Sequence, residues 1–167
     1  MTQSIKETII VKGILDEDFV NYRVPSMTII FPYCDFKCEA NGDSFCHNSP
    51  LIGEPDIKIP IKELYRRYIN NKISEAVVCQ GLEPLDSWEE LNSLLFYFRI
   101  HESCLDTIVI YTGYNKEEIL DKVEYIRTAY SNIIIKFGRY ISGHEKHYDE
   151  VLGVYLSSDN QYAEHVE

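Results

Sequence analysis

Three thiols fall close together in the run Tyr33-Cys-Asp-Phe-Lys-Cys-Glu-Ala-Asn-Gly-Asp-Ser-Phe-Cys-His47, at Cys34, Cys38 and Cys46. Thiolates are the soft ligands of zinc and of iron–sulfur clusters, and three of them on one flexible loop can converge on a metal. Two chemistries fit this spacing. In one, His47 closes a tetrahedral Cys3His zinc site. In the other, three thiolates hold a 4Fe-4S cluster and leave its fourth iron open to a small molecule. The bland alternative is three unconnected cysteines on a loop. The remaining two, Cys79 in an apolar run and Cys104 just before another, read as structural residues that behave as small hydrophobes.

The elements that must position the thiols are legible in the hydrophobic pattern. Glu7–Gly13 reads as a strand. Ser26–Pro32 is β-branched and apolar, and Pro32 stops it. Positions 33–58 carry Cys, Asn, Gly, Asp, Ser and Pro without period, which reads as a long irregular loop. Ile61, Leu64, Tyr65, Tyr68 and Ile69 then recur at helical spacing. Ala76–Gln80 is a short strand cut off by Gly81. Trp88, Leu91, Leu94, Leu95 and Phe98 mark a second helix, with Asp86 or Ser87 as its N-cap and Glu89 and Glu90 in its first turn. Thr107–Tyr111 is a strand. Ile119, Leu120, Val123 and Ile126 follow the turn Gly113-Tyr-Asn115 as a helix. Asn132–Phe137 is a strand ending at Gly138, and Gly153–Leu156 reads as one more. Apolar strands alternating with amphipathic helices predict an α/β domain with a mostly parallel sheet spanning the whole chain, 1–167. Ligands of such sheets sit beyond the carboxyl ends of the strands. The cysteine loop, Gly81–Pro84, Thr112–Tyr114 and Phe137–Arg139 each follow a strand end, so they are expected on one edge.

In order along the chain, these motifs resemble the radical S-adenosylmethionine (SAM) superfamily. Cys34-x3-Cys38 and the pair Phe45-Cys46 resemble its cysteine loop. Cys46-His-Asn48 looks like the small activating enzymes of glycyl radical proteins. Gly81-Leu-Glu-Pro84 resembles the superfamily's Gly-Gly-Glu-Pro motif. Ile110-Tyr-Thr-Gly-Tyr114, Gly138-Arg-Tyr-Ile141 and Ser158-Asp-Asn-Gln161 resemble segments of the activator of anaerobic (class III) ribonucleotide reductase. The resemblance runs from about position 26 to 161. There are departures. Seven residues, Glu39 to Phe45, separate the second and third cysteines where the family has two, and Asn41-Gly42 reads as an inserted turn. Leu82 stands where the motif has its second glycine, and would be strained if that position needs positive φ. Phe137 stands where an acidic residue is common.

The resemblance implies an incomplete radical-SAM β/α barrel. It implies a 4Fe-4S cluster on Cys34, Cys38 and Cys46, and SAM bound by Gly81, Glu83, Thr112 and Phe45, with Glu83 receiving the ammonium group. The implied activity is reductive cleavage of SAM to make a glycyl radical on a partner, anaerobic ribonucleotide reductase, with a small electron-donor protein. His47 then becomes a neighbour of the cluster or a surface residue. Tyr111 is expected to be a packed strand residue, and Tyr114 to join Thr112 at the SAM site. His144, Glu145, His147 and Asp149 are read as a solvated loop. The readings of other classes are a non-catalytic zinc- or iron–sulfur-stabilised binding module, and a radical SAM enzyme acting on a small molecule.

Charge narrows the partners. The net charge of −11 over 167 residues disfavours binding of nucleic-acid backbones and of anionic membranes. No apolar run reaches the roughly 20 residues of a membrane helix. The start, Met1-Thr-Gln-Ser-Ile-Lys-Glu, lacks a basic segment leading into an apolar one, so no secretory signal is expected. A reducing, cytoplasmic compartment is the expected setting.

Overall fold

The computed structural model describes residues 4–34 and 49–167. A mixed six-stranded sheet forms the centre. Its middle is β3 (Ser26–Phe31), β5 (Ala76–Gly81), β6 (Ile108–Tyr111) and β7 (Ile133–Phe137), all mutually parallel. The edges are antiparallel: β2 (Gly13–Asp18) beside β3, and β10 (Tyr162–Val166) beside β7. The two edge strands leave the sheet open; it is not a closed barrel.

Two small ribbons complete the sheets. β1 (Thr8–Val11) pairs antiparallel with β4 (Ile57–Pro60), and β8 (His147–Asp149) with β9 (Val154–Leu156). The Glu7–Gly13 run is therefore not one strand of the main sheet. It breaks at Lys12, whose backbone N–H donates to Ile30 O, and the chain passes from one sheet to the other there. Likewise, the C-terminal part of the expected irregular loop forms β4, and the Gly153–Leu156 run joins a hairpin instead of the main sheet.

Among the described residues three helices connect the parallel strands: α1 (Ile61–Asn70), α2 (Trp88–Phe96) and α3 (Leu120–Ala129). Parallel neighbours joined by right-handed crossovers that keep advancing in one direction place all their helices on one face. The core follows that rule. Leu64 and Tyr68 of α1, Leu91, Leu94 and Leu95 of α2, and Val123 and Ile126 of α3 bury against Met27, Ile29, Phe31, Val77, Cys79, Ile108, Ile110, Ile133 and Ile135. The alternate residues Val78, Val109 and Ile134 face the other way. There Leu152, Leu156 and Ala163 cover them, with Tyr22 and Tyr111 alongside. Among the described residues no helix is long and apolar enough to cross a membrane.

Candidate functional site

Because β3, β5, β6 and β7 run parallel, the segments that follow them do meet along one edge of the sheet. Phe31 lies in register with Gly81, and Cys34, half-buried, follows three residues later. The strand ends are tied sideways by backbone bonds: Leu82 N–H to Phe31 O (3.2 Å), Thr112 N–H to Lys136 O (2.9 Å) and Gly138 N–H to Tyr114 O (3.0 Å). Gly81 has φ +107°, and a Cβ there would sit 2.5 Å from Ile30 Cγ2 and 2.7 Å from Phe31 N. Glycine is required both by this φ and by the close approach of β3. Leu82, by contrast, has no positive φ and is buried, so the expected strain at that position is absent.

Glu83 is the chemical centre of this edge. It is only 5% exposed. Its Oε1 accepts from Leu85 N–H (3.0 Å) and Thr112 Oγ1 (2.8 Å), and its Oε2 accepts from Gly113 N–H (2.8 Å). One carboxylate thus caps the short 3-10 turn Pro84–Ser87 that leads into α2 and fastens the end of β5 to the end of β6. Burial pushes its carboxyl up to about 7, against the downward pull of the bonds from Gly113, Leu85 and Thr112. A carboxylate has about four acceptor positions. Three are filled by the protein, which leaves one on Oε2.

Around Glu83 lies a ring of polar contacts. Tyr114 Oη donates to Asp86 Oδ1 (2.6 Å), and the Arg139 guanidinium lies 5.3 Å from the Tyr114 ring centre while pairing with Glu118 at 2.9 Å. Asn115 and Glu118 form the capping box of the turn that leads into α3. Asp86 is therefore not a helix cap. Ser87 holds that position without a side-chain bond, since Glu83 already caps the preceding turn. Lys136, on the strand face away from the helices, is buried. Its ammonium donates to Gly138 O (2.9 Å) and Thr112 O (3.4 Å) and lies 5.6 Å from the Tyr111 ring centre.

Cys34, Gly81, Glu83, Thr112 and Tyr114 are thus brought to one edge. Cys38, Cys46, Phe45 and His47 lie outside the described residues. Among the described residues no group of three His, Cys, Asp or Glu side chains could hold a metal. Tyr111 is a packed strand residue whose Oη donates to Asn21 O (2.6 Å). Cys79 is fully buried, and burial pushes its thiol up to about 12. The His144–Asp149 segment is not simply a solvated loop. His147 and Asp149 belong to β8, and Asp149 is buried, accepting from Leu152 N–H (2.9 Å) and Ala163 N–H (3.0 Å). The bond from Leu152 closes the hairpin's own turn, and the bond from Ala163 docks the hairpin onto β10.

Sequence reasoning passed over Lys136 and Arg139 as contributors. The available signal was a lone lysine inside Ile133-Ile-Ile-Lys-Phe137, at a position facing away from the helices. A depression of about 350 Å³ is lined by Tyr22, Arg23, Glu150, Val151 and His165. It shares no residue with this edge. Compared with protein-family models, curated proteins and solved structures, the chain matches none of them.

Proposed function

We propose that this protein is a radical SAM enzyme with the architecture of an incomplete β/α barrel, which generates a glycyl radical on a partner, anaerobic ribonucleoside-triphosphate reductase. The observation that carries the proposal is the meeting of Cys34, Gly81, Glu83 and Thr112 at the carboxyl ends of adjacent parallel strands. The donor chemistry fits a 4Fe-4S group: Cys34 is half-buried on this edge, and two further thiols, Cys38 and Cys46, follow within the same segment. A four-iron cluster, when bound, supplies the single electron that splits the C5′–S bond of SAM into methionine and the 5′-deoxyadenosyl radical that takes a hydrogen atom from a glycine Cα of the partner.

The chain's own residues bind and orient. The remaining acceptor position of Glu83 Oε2 suits the SAM ammonium, and the fixed bonds from Leu85, Thr112 and Gly113 hold that oxygen in place. Gly81 lets the backbone pass close to β3 at this point. The partner enzyme covers the edge and keeps water from the radical. A small electron-donor protein supplies the electron.

Anaerobic reconstitution tests the reading. A brown protein with about four irons per chain is expected, as this ligation requires. Iron should be lost on Cys34→Ala, Cys38→Ala or Cys46→Ala and retained on Cys104→Ala. The reduced protein, mixed with SAM and the reductase, should give the electron paramagnetic resonance doublet of a glycyl radical. Deuterium from the partner glycine Cα should then appear in 5′-deoxyadenosine. A colourless, air-stable protein with stoichiometric zinc and no SAM cleavage would overturn it in favour of a binding module.

A further inference from the structure

Lys136 has no part in the proposal above, yet it lies on the face of the sheet that Val78, Val109 and Ile134 otherwise make apolar. It is 6% exposed. Taking an ammonium out of water at such a place is costly unless acceptors meet it.

What it meets is Thr112. Tyr111 is the register partner of Lys136 across β6 and β7, so Thr112 is the first residue beyond the paired strands. Thr112 N–H donates to Lys136 O (2.9 Å), and Lys136 Nζ donates to Thr112 O (3.4 Å). Both main-chain polar groups of Thr112 are held by one residue, which fixes the direction of its side chain and of the peptide that follows. The shorter bond of the ammonium, to Gly138 O (2.9 Å), anchors it at the end of β7, where the same carbonyl accepts from Gln161 Nε2 (3.2 Å).

Thr112 passes the constraint to Glu83 by two routes. Its Oγ1 accepts from Tyr114 N–H (3.1 Å) and donates its one hydrogen to Glu83 Oε1 (2.8 Å). The peptide whose oxygen faces Lys136 also carries the Gly113 N–H, which donates to Glu83 Oε2 (2.8 Å). A cation at a carbonyl oxygen draws electron density through the peptide and makes its N–H a stronger donor. Two of the three bonds on the Glu83 carboxylate therefore depend on Lys136, and one of them falls on the oxygen that has an acceptor position to spare. Resting on the SAM reading, we infer that Lys136 is a positioning residue for the ligand's ammonium group: acting through Thr112 and Gly113, it holds the Glu83 carboxylate with Oε2 open to that group.

Calorimetric titration of the anaerobically reconstituted full chain tests this without turnover. Two probes are compared: S-adenosylhomocysteine and its analogue lacking the amino group. Lys136→Met keeps the aliphatic stem and removes the donor. It should weaken S-adenosylhomocysteine about tenfold, the scale of one hydrogen bond, and leave the affinity of the analogue unchanged. Lys136→Gln, neutral but still carrying an N–H donor, should show the same split at smaller size if Lys136→Met does not fold. A role confined to packing would weaken both probes equally, and that result would overturn the inference. So would an S-adenosylhomocysteine affinity that neither variant changes. If the unaltered protein separates the two probes and the variants lose both alike, Lys136 falls alone. If it binds the two probes equally, the assignment of the ammonium to Glu83 falls first. If it binds neither, the SAM reading falls as well.

Discussion

The two ends of the parallel strands are each organised around a buried ion that is satisfied without an opposite charge. At the amino ends it is Arg99, in the π-helical turn that extends α2. Its guanidinium donates to Ser131 O, Cys104 O, Asp106 O and Asn132 O at 2.6 to 2.9 Å, all backbone carbonyls just ahead of β6 and β7. At the carboxyl ends it is Glu83, which gathers Leu85 N–H, Thr112 Oγ1 and Gly113 N–H. Both fasten neighbouring connections together. They differ in what they leave over. Arg99 gives its bonds only to the protein's own carbonyls, beside Asp106, whose carboxylate accepts from Tyr68 Oη at 2.6 Å. Glu83 keeps one acceptor position and a carboxyl held near neutrality by burial. One end is a clasp; the other is a clasp with capacity for a ligand.

The sharpest way to break the comparison is at the clasp without a ligand. Arg99→Met removes the guanidinium bonds of four backbone carbonyls, of which Asn132 O keeps a bond from Ile108 N–H, and is expected to cost about 4 kcal/mol in urea unfolding. The fraction that stays folded should bind S-adenosylhomocysteine with unchanged affinity, because the loss lies at the far end of the strands.

Gly81→Ala probes the other end. Its Cβ would meet Ile30 and the Phe31 backbone below 3 Å at a φ that side chains avoid, for an expected cost of about 3 kcal/mol. Here stability and site should fail together, since the strand forced aside is the one that leads to Cys34. Iron content per folded chain, measured beside the unfolding curve, separates this from the Arg99 outcome.

The gentlest change is Glu83→Gln, and its signature is a pH profile. A carboxyl raised to about 7 by folding favours the folded state while protonated, and that advantage is lost as pH rises through about 7. Wild type should therefore lose stability relative to Glu83→Gln between the ordinary glutamate range and neutrality. A ligand ammonium needs the ionised form, so its affinity should rise over the same interval in wild type and stay flat in the variant. A flat wild-type profile would remove Glu83 from that role. Glu83→Ala is a poorer probe, because it strands three donors at once.

How much of this was legible follows from what each residue does. The four central strands announce themselves because both of their faces are buried, which demands apolar runs such as Ile108–Tyr111. The edge strands do not. Gly13-Ile-Leu-Asp-Glu-Asp18 and Tyr162-Ala-Glu-His-Val166 carry charge because one flank faces solvent, and they read as connections. The segments of Gly81, Glu83 and Thr112 were expected on one edge because each follows a strand, and their part in binding came from the resemblance. That Glu83 spends three of its acceptor positions on the protein could not be read from its neighbours in sequence, because two of the donors lie about thirty residues away.

Strand order in the central sheet follows chain order from β2 through β3, β5, β6 and β7 to β10. Each strand can therefore add to the one made before it. The widest gap is at the first parallel pair, where Ser26 meets Ala76 fifty positions later across the segment that carries the cysteines. Lys12 receives the far side of that gap, bonding Ile52 O at 3.2 Å and pairing with Asp56 at 2.8 Å. Joining β3 to β5 is then the kinetic bottleneck. Because closure entropy grows only logarithmically with length, additions to that segment slow folding slightly and barely change stability. The spacing between Cys38 and Cys46 is thus a place where the chain can lengthen at little kinetic consequence.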